Sequence, residues 1–392
     1  MPPTTLAAAA PMDQHTEPGD RAVTRLGRWL TAATPHLATM TALGGLLTVL
    51  AYAVGGWHIT ELSHNVTGQQ FSWLQLDSWA VALRQTGSLT LELLGLAIAL
   101  YTAYGIAGRP ALFPAFAGGL TAVTLHTGSL GGLAAGLLAG AVTRALQKIT
   151  VPARWHTLMA KAVIPLLATL LTTVVFFCAL LSPQLDKLNS WLSNELVTLE
   201  LTNQRLVLGL LLGLAVCCDF GGIFNKVAYT YAVAGLSSDV PTPDHMAFMA
   251  VVVAAAMVPP LGLSLAAVVR RKAFTQAERN YAKVAWLLGL AGVPEGTVPF
   301  ALRDPLRVIP ASMAGGAVTG VLTMTFGSTM GAPYGGVFAA DQLGKPLLFA
   351  AAVAAGVLVT AGVAIALKSL GRTATAAATA RAATHRKTPV AA

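Results

Sequence analysis

Gly289-Leu-Ala-Gly-Val-Pro-Glu-Gly-Thr-Val-Pro-Phe300 is an apolar stretch interrupted by glycine, proline and a single acid. A charged carboxylate at membrane depth costs about 2.5–3.5 kcal/mol on insertion scales, so it usually faces a partner or a watery cavity. Pro294 and Pro299 lie on either side of Glu295, and each lacks the backbone N–H that a helix interior needs. Carbonyls left unpaired by such breaks are tolerated only inside protein or against water. The stretch therefore predicts a broken membrane segment in which Glu295 lies where a substrate binds.

The composition is typical of a membrane protein. Hydrophobic residues make up 55% of the 392 residues and charged residues 10%, against roughly 25% charged in soluble domains. Several apolar runs reach the roughly 20 residues that a spanning helix needs, and they do not alternate as barrel strands do. We therefore expect an all-α, polytopic fold of about eight to ten membrane segments, some of them incomplete. The apolar runs lie at about 37–55, 89–107, 128–146, 162–181, 206–235, 247–269, 285–302, 308–326 and 346–367.

Basic residues lie beside the apolar runs at both ends of the chain and in two internal loops. Short loops rich in Lys and Arg stay in the cytoplasm, which predicts cytoplasmic termini and an even number of crossings. The formal charge of +9 is dispersed among the runs, so it indicates topology and not a nucleic-acid partner. Residues 1–30 and 371–392 are expected to be disordered cytoplasmic tails, and the first lacks the features of an export signal. The basic residues are Arg21, Arg25, Arg28, Arg144, Lys148, Arg154, Lys161, Arg270, Arg271, Lys272, Arg279, Lys283, Lys368, Arg372, Arg381, Arg386 and Lys387.

Several chemistries lack their motifs in this sequence. Cys178, Cys217 and Cys218 lie in apolar segments without metal-ligand spacing, so we expect structural thiols and neither a metal nor a cofactor. Neither an HExxH array nor a Walker loop occurs, which excludes ATP-driven pump machinery. Any transport would draw its energy from an ion gradient or from another protein, and no catalytic nucleophile is expected in this chain.

A second polar island, Asp219-Phe-Gly-Gly-Ile-Phe-Asn-Lys226, separates two apolar runs. Gly221 and Gly222 allow the backbone to leave helical geometry there. Asp219, Asn225 and Lys226 offer acceptors and donors suited to hydroxyl groups. An ion pair between Asp219 and Lys226 that only holds helices together is the alternative interpretation, and the sequence leaves both open.

Five blocks of the sequence resemble one known family, in the same order along the chain. Gly292–Phe300 and Asp304–Pro310 are similar to its GITEGAIPF and DPLRVIPS, and Asp219–Tyr229 to its DMGGPVNKAAY. Tyr104–Gly119 is similar to YSIADRPGLAPGFVGG, and His36 precedes a glycine pair by eight residues, as in SHMLPFVVAGG. The chain is identified on these residues as a member of the fructose family of enzyme IIC, the membrane subunit of the bacterial phosphoenolpyruvate-dependent sugar phosphotransferase system.

The resemblance implies a homodimer in the lipid of the bacterial inner membrane. Residues 31–200 would form the dimer contact, while 201–370, with re-entrant hairpins, would carry fructose or a related hexose or polyol across as a moving body. The family's glutamate at the position of Glu295 binds sugar hydroxyls. The sugar is phosphorylated by a phosphocysteine of enzyme IIB, which receives phosphate from IIA. Since no Cys-Pro-Thr-Gly-like loop occurs in this sequence, we expect separate IIB and IIA proteins.

Some positions differ from the family pattern. Tyr334 replaces the histidine of Ala-Pro-His-Gly-Gly, Thr39 a proline and Gly108 an aspartate, and Ile223-Phe224 replaces Pro-Val. The family is therefore better determined than the sugar. We predict a substrate site formed by Glu295, Asp219, Asn225, Lys226, Gly221, Gly222, Gly296, Pro294, Tyr334 and His36.

Alternatives remain for single residues and for the whole chain. His36 could serve packing, and Asp304 could simply end a helix. Arg109, Arg303 and Arg307 are expected to serve topology, interfaces or the docked partner. An uncoupled secondary sugar transporter or sugar sensor of the same fold is the alternative function. A purely structural scaffold is disfavoured, because packing alone does not call for Glu295 between prolines.

Overall fold

The computed structural model describes residues 4–5, 22–62, 72–180, 183–237 and 242–386, and within them it is almost entirely helical. Its helices are α1 Ala22–Gly55, α2 Ile59–Leu62, α3 Leu76–Glu92, α4 Leu94–Ala107, α5 Leu112–Thr124, α6 Gly128–Leu146, α7 His156–Leu158, α8 Ile164–Leu180, α9 Pro183–Leu201, α10 Arg205–Cys218, α11 Ile223–Leu236, α12 Pro243–Val269, α13 Gln276–Leu290, α14 Val298–Arg303, α15 Pro305–Phe326 and α16 Pro346–Arg386. Two antiparallel pairs of two-residue strands accompany them, β1 (Thr4–Thr5) with β2 (Thr150–Val151) and β3 (Thr329–Met330) with β4 (Leu343–Gly344). The predicted all-α class is confirmed.

Seven stretches of helix in the described ranges are long and apolar enough to cross a membrane. They are Thr34–Gly55, Leu76–Ala107, Gly128–Leu146, His156–Phe176, Pro243–Val269, Pro305–Phe326 and Pro346–Leu370. The apolar runs at 206–235 and 285–302 are each divided between short helices around an interruption. The prediction of eight to ten segments counted these incomplete ones, and the number of full crossings stays a prediction.

Close helix packing in the first half of the chain depends on glycine. A Cβ placed on Gly132 of α6 would collide with the backbone of Gly95 on α4. One at Gly136 would lie 2.6 Å from the carbonyl oxygen of Ala99. The two helices therefore approach to backbone contact, as small residues allow in membrane bundles. This packing sets the first turn of α6 beside the start of α4, where the candidate site opens.

The second half is built around α12. In its membrane window 83% of the residues are buried, and α10, α11, α13, α15 and α16 pack around it. α10 meets α15 through glycines on both helices: Gly213 faces the carbonyl oxygen of Gly316, and Gly320 faces that of Gly209. A largely apolar helix enclosed in this way provides a core beside the two broken segments.

The first break lies between α10 and α11. The backbone turns through Phe220 (φ 46°) and Gly221 (φ 94°) before α11 begins. The Asp219 carboxylate accepts hydrogen bonds from the backbone N–H groups of Phe224 at 2.7 Å and Asn225 at 3.1 Å. Asp219 therefore caps the first turn of α11, whose N–H groups have no partner within the helix.

The second break follows α13. Gly292 takes φ 74°, a 3₁₀ turn covers Pro294–Thr297, and α14 begins at Val298. Tyr281 of α13 donates a 3.0 Å hydrogen bond to the carbonyl oxygen of Gly296, which pairs one of the carbonyls freed by the prolines. Both expected interruptions are thus present as ordered turns.

The ranges expected to be disordered tails, 1–30 and 371–392, are helical in part. α1 begins at Ala22 and α16 continues to Arg386, so each helix extends into a range assigned to a tail. Residues 1–3, 6–21 and 387–392, on which the rest of the tail prediction falls, lie outside the described residues.

Candidate functional site

A cavity of about 640 Å³ opens where the two broken segments meet. Its wall combines residues of α1 and α3, the start of α6, the α10–α11 break, the α13–α14 break and the turn at 333–335. Its polar lining side chains are Thr48, Tyr52, Arg84, Gln85, Ser88, Glu92, His126, Ser129, Asn225, Lys226, Tyr229, Thr230, Glu295 and Tyr334. A cavity of this size with a few convergent polar groups fits a small polar molecule.

Glu295 lies at the contact between the two breaks. Its side chain is partly exposed and lines the cavity. A Cβ placed on Gly221 of the other break would collide with its Oε1, so only glycine leaves room for this carboxylate. In the described part of the chain no salt bridge involves Glu295. A carboxylate in this position can accept hydrogen bonds from a ligand in the cavity.

Lys226 and Asn225 belong to the first turn of α11 and line the same cavity. The Asn225 side chain donates a 2.9 Å hydrogen bond to the carbonyl oxygen of Val216, which pairs a group near the end of α10. Among the described residues no ion pair within 4.0 Å joins Asp219 to Lys226. The alternative interpretation, an ion pair between Asp219 and Lys226 that only holds helices together, is therefore not supported by a direct contact.

Tyrosines form another part of the wall. The rings of Tyr334 and Tyr229 lie 4.8 Å apart between centroids, tilted by 30°. Tyr52 of α1 and Arg84 of α3 line the same cavity. Aromatic faces and phenol groups together offer a ligand both an apolar surface and hydrogen-bonding partners.

Comparison with known proteins gives the family. Residues 37–315 match the family described as "Phosphotransferase system, EIIC", a region that includes both breaks. The PTS system fructose-specific EIIC component of Haloferax volcanii is 35% identical over 343 residues, which cover 83% of this chain and 88% of that protein. This chain belongs to the EIIC family of the phosphotransferase system. The resemblance seen in the sequence motifs is confirmed, and the EIIC chain is a multi-pass inner-membrane protein.

Other relatives of this EIIC chain differ in length. The fructose permease IIC component of Bacillus amyloliquefaciens is 37% identical over 288 residues, 73% of this chain and 92% of that protein. The PTS system fructose-specific EIIABC component of Bacillus subtilis is 35% identical over 327 residues, which are 81% of this chain. The EIIC chain spans about half, 50%, of the length of that longer relative.

The structure gathers six of the ten predicted site residues of the EIIC chain at the cavity: Gly221, Asn225, Lys226, Pro294, Glu295 and Tyr334. Three others, Asp219, Gly222 and Gly296, are not lining residues but are chain neighbours of Phe220, Gly221 and Glu295, which line the cavity. His36 lies elsewhere: it is exposed on α1, and its ring stacks on Tyr101 at 5.9 Å between centroids. The predicted contact of His36 with substrate has no support in this geometry.

The polar face of α3 was not predicted as part of the site. Arg84, Ser88 and Glu92 recur at every fourth residue, which places them on one side of the helix, and all three line the cavity. That spacing is visible in the sequence next to an apolar run, so it could have indicated a polar surface inside the membrane. His126, with φ 55° at the turn before α6, carries no comparable signal.

Proposed function

We propose that this EIIC chain is the sugar-translocating permease subunit of a fructose-type phosphotransferase system. It would move fructose, or a related hexose or polyol, inward through the cavity for phosphorylation. The observation that carries the proposal is the Glu295 carboxylate on the cavity wall, at the contact between two broken segments and outside any described salt bridge. The names of the relatives, which specify fructose, support this choice of sugar.

The proposed binding roles follow from the chemistry of the lining. Glu295 accepts hydrogen bonds from two sugar hydroxyl groups, since each carboxylate oxygen has lone pairs available. Lys226 donates to a ring or hydroxyl oxygen, and Tyr334 supplies a phenol where the family has histidine. Asp219 acts through the backbone, because its oxygens already bind the N–H groups of α11. It is a positioning residue in this scheme.

A phosphocysteine of a separate enzyme IIB, supplied with phosphate by IIA, is the proposed phosphoryl donor. A sugar hydroxyl oxygen attacks phosphorus, the P–O bond forms as the P–S bond breaks, and the cysteine leaves as thiolate. The sugar loses its hydroxyl proton and remains as a phosphate ester, fructose 1-phosphate if the sugar is fructose. The B. subtilis relative, whose name combines A, B and C, supports coupling to such components.

We further propose a homodimer in which residues 31–200 form the contact and residues 201–370 move. Exposed apolar side chains on α8 are consistent with a second copy on this unit: Leu166 is 70% exposed, Leu170 59% and Val174 51%. Both broken segments belong to the other unit. Cytoplasmic termini follow from the flanking basic residues.

The test is uptake of labelled fructose into vesicles containing the purified chain. Labelled sugar phosphate is expected on the side that contains phosphorylated IIB, and none with IIB omitted or with its cysteine replaced by serine. Accumulation of unmodified sugar driven by an ion gradient alone would identify a secondary transporter instead. Product formed without IIB would contradict the proposed donor.

A further inference from the structure

A second groove, of about 860 Å³, lies between α12 and α13, outside the proposed sugar site. Leu261, Leu265 and Val268 line it from α12 at positions that share one helix face. Trp286 lines it from α13. Val268 is 63% exposed and Trp286 44% exposed, although α12 is a membrane-spanning helix. The apolar wall from Leu261 to Val268 is about 10 Å long, at 1.5 Å per residue.

The mouth of this groove is basic. All charged side chains among its lining residues are cations: Arg271, Lys272, Arg279 and Lys283. Arg271 and Lys272 lie within three residues of Val269, where the spanning helix ends, so they lie at the level of the lipid headgroups. Arg279 and Lys283 lie in the first half of α13 and face the same groove. Trp286 lies one turn further along α13 than Lys283 and lines the same groove.

Hydrogen bonds within the chain hold the loop at the basic mouth in shape. The Arg279 guanidinium donates to the carbonyl oxygens of Arg271 at 2.9 Å and Phe274 at 2.6 Å, which fixes the loop. The nearby acid Glu278 is buried and pairs with Lys368 at 2.9 Å. Among the described residues neither Arg271 nor Lys283 forms a salt bridge, and both are exposed. Positive charge is thus available to an anion at the mouth.

We propose that this groove binds an anionic phospholipid, with its phosphate among Arg271, Lys272 and Lys283 and one acyl chain along Leu261 and Leu265. A zwitterionic lipid would add its own cation to the basic mouth. A soluble anion would leave the apolar wall uncovered. Basic pockets at the ends of membrane helices bind anionic headgroups through this combination of charge and apolar contact. The site shares no lining residue with the proposed sugar site. Lipid bound there would make the stability of the α12–α13 hairpin depend on the anionic lipid content of the membrane.

The first test is quenching of Trp286 by bromine-labelled lipid. The purified chain is placed in phosphatidylcholine vesicles that contain brominated phosphatidylglycerol or, separately, brominated phosphatidylcholine. The contribution of Trp286 is the difference between the wild type and Trp286→Phe. Quenching of this difference signal by phosphatidylglycerol at a several-fold lower lipid fraction than by phosphatidylcholine supports the site. Equal quenching by the two lipids overturns it, because the groove would then contact ordinary bulk lipid.

The second test removes charge. Arg271→Gln with Lys283→Gln is expected to weaken the phosphatidylglycerol preference about thirtyfold, since each basic residue near the surface contributes about 1 kcal/mol. The matched control, Lys148→Gln with Arg154→Gln, removes two exposed cations from another loop and should keep the preference. An equal loss in the control overturns the proposal in favour of general surface charge. Displacement of the lipid by glycerol phosphate at similar concentration overturns it in favour of a soluble anion.

Discussion

The charge of Glu295 is the residue-scale feature on which sugar binding is proposed to depend. Glu295→Gln keeps the shape of the side chain but removes the charge and turns one acceptor into a donor. We expect sugar affinity to fall about tenfold or more, because hydrogen bonds to charged groups contribute about 1.5–3 kcal/mol. Isothermal titration calorimetry of the purified chain with fructose measures this change.

Glu195→Gln is the matched control, since it makes the same chemical change on α9 in the wall of a different surface depression. It should leave sugar affinity unaltered. A folded Glu295→Gln protein with wild-type affinity would remove the basis for the proposed site.

At the scale of single residues, the sequence was most informative where local chemistry was unusual. Glu295 and Pro294 stand out because an acid and prolines are costly in an apolar segment. Arg84 was not predicted as a lining residue of the cavity. Its four-residue spacing with Ser88 and then Glu92 indicates a polar helix face, but the sequence does not show which other helices meet at that face. His36 was placed in the site by its motif position; in the fold it stacks on Tyr101 and is not a lining residue of the cavity, and its contact with substrate stays a prediction.

A buried ion pair joins α16 to α13 at the scale of elements. The Lys368 ammonium lies 2.9 Å from Glu278 and 4.4 Å from the centre of the Phe274 ring, and both charged side chains are almost fully buried. Glu278 also caps α13 through the backbone N–H of Thr275 at 2.7 Å. We expect Glu278→Gln to lower the free energy of unfolding by about 3 kcal/mol, because the buried Lys368 ammonium then keeps only the more distant Asp304 carboxylate, at 3.7 Å.

The exposed pair Arg205–Asp244 provides the comparison, with side chains 55% and 42% exposed. Asp244→Asn should cost about 1 kcal/mol or less, as is usual for surface pairs. Denaturant unfolding in one detergent and lipid mixture compares the two variants. Equal destabilisation would mean that burial does not determine the contribution of the Lys368 pair.

Glycine contacts determine how closely α10 and α15 approach. A Cβ placed on Gly213 would collide with the carbonyl oxygen of Gly316, so Gly213→Leu forces the helices apart. We expect a loss of about 1–3 kcal/mol or more, the usual cost of overpacking. Gly362→Leu on α16 is the control, since nothing lies within 4 Å of a Cβ added there. Thermal unfolding should separate the two variants, and equal midpoints would contradict this packing.

Helix positions were largely predictable, because apolar runs of sufficient length have few alternatives in a membrane. α9 was missed for a physical reason: only one face is apolar, with Leu192, Leu196 and Leu199 buried, so its average composition does not resemble a membrane segment. α3 begins at Leu76, well before the apolar run predicted at 89–107. The polar residues on its cavity face lower the hydropathy of that stretch, so the run does not show where the helix begins. The interruption near 219–222 was predicted from the paired glycines and was found there.

Motion of residues 201–370 against residues 31–200 is the proposal that belongs to the whole molecule. The two units meet where α13 packs on α1: a Cβ added at Gly45 would overlap the side chain of Leu288. Cysteines at both positions are therefore near enough for a disulfide. We expect oxidised Gly45→Cys with Leu288→Cys to stop sugar transport into vesicles while sugar binding persists, and reduction to restore transport.

A second cysteine pair separates this effect from general stiffening. The control is Gly289→Cys with Leu261→Cys, which also replaces one glycine and one leucine, but both lie in the same unit. A Cβ at Gly289 would lie 2.7 Å from Leu261 Cγ. Since α12 and α13 would move together, oxidation of this pair should leave transport intact. Full transport by the oxidised Gly45–Leu288 pair would show that the contact between the units stays closed through the cycle. Translocation would then require a rearrangement confined to the two broken segments around Glu295.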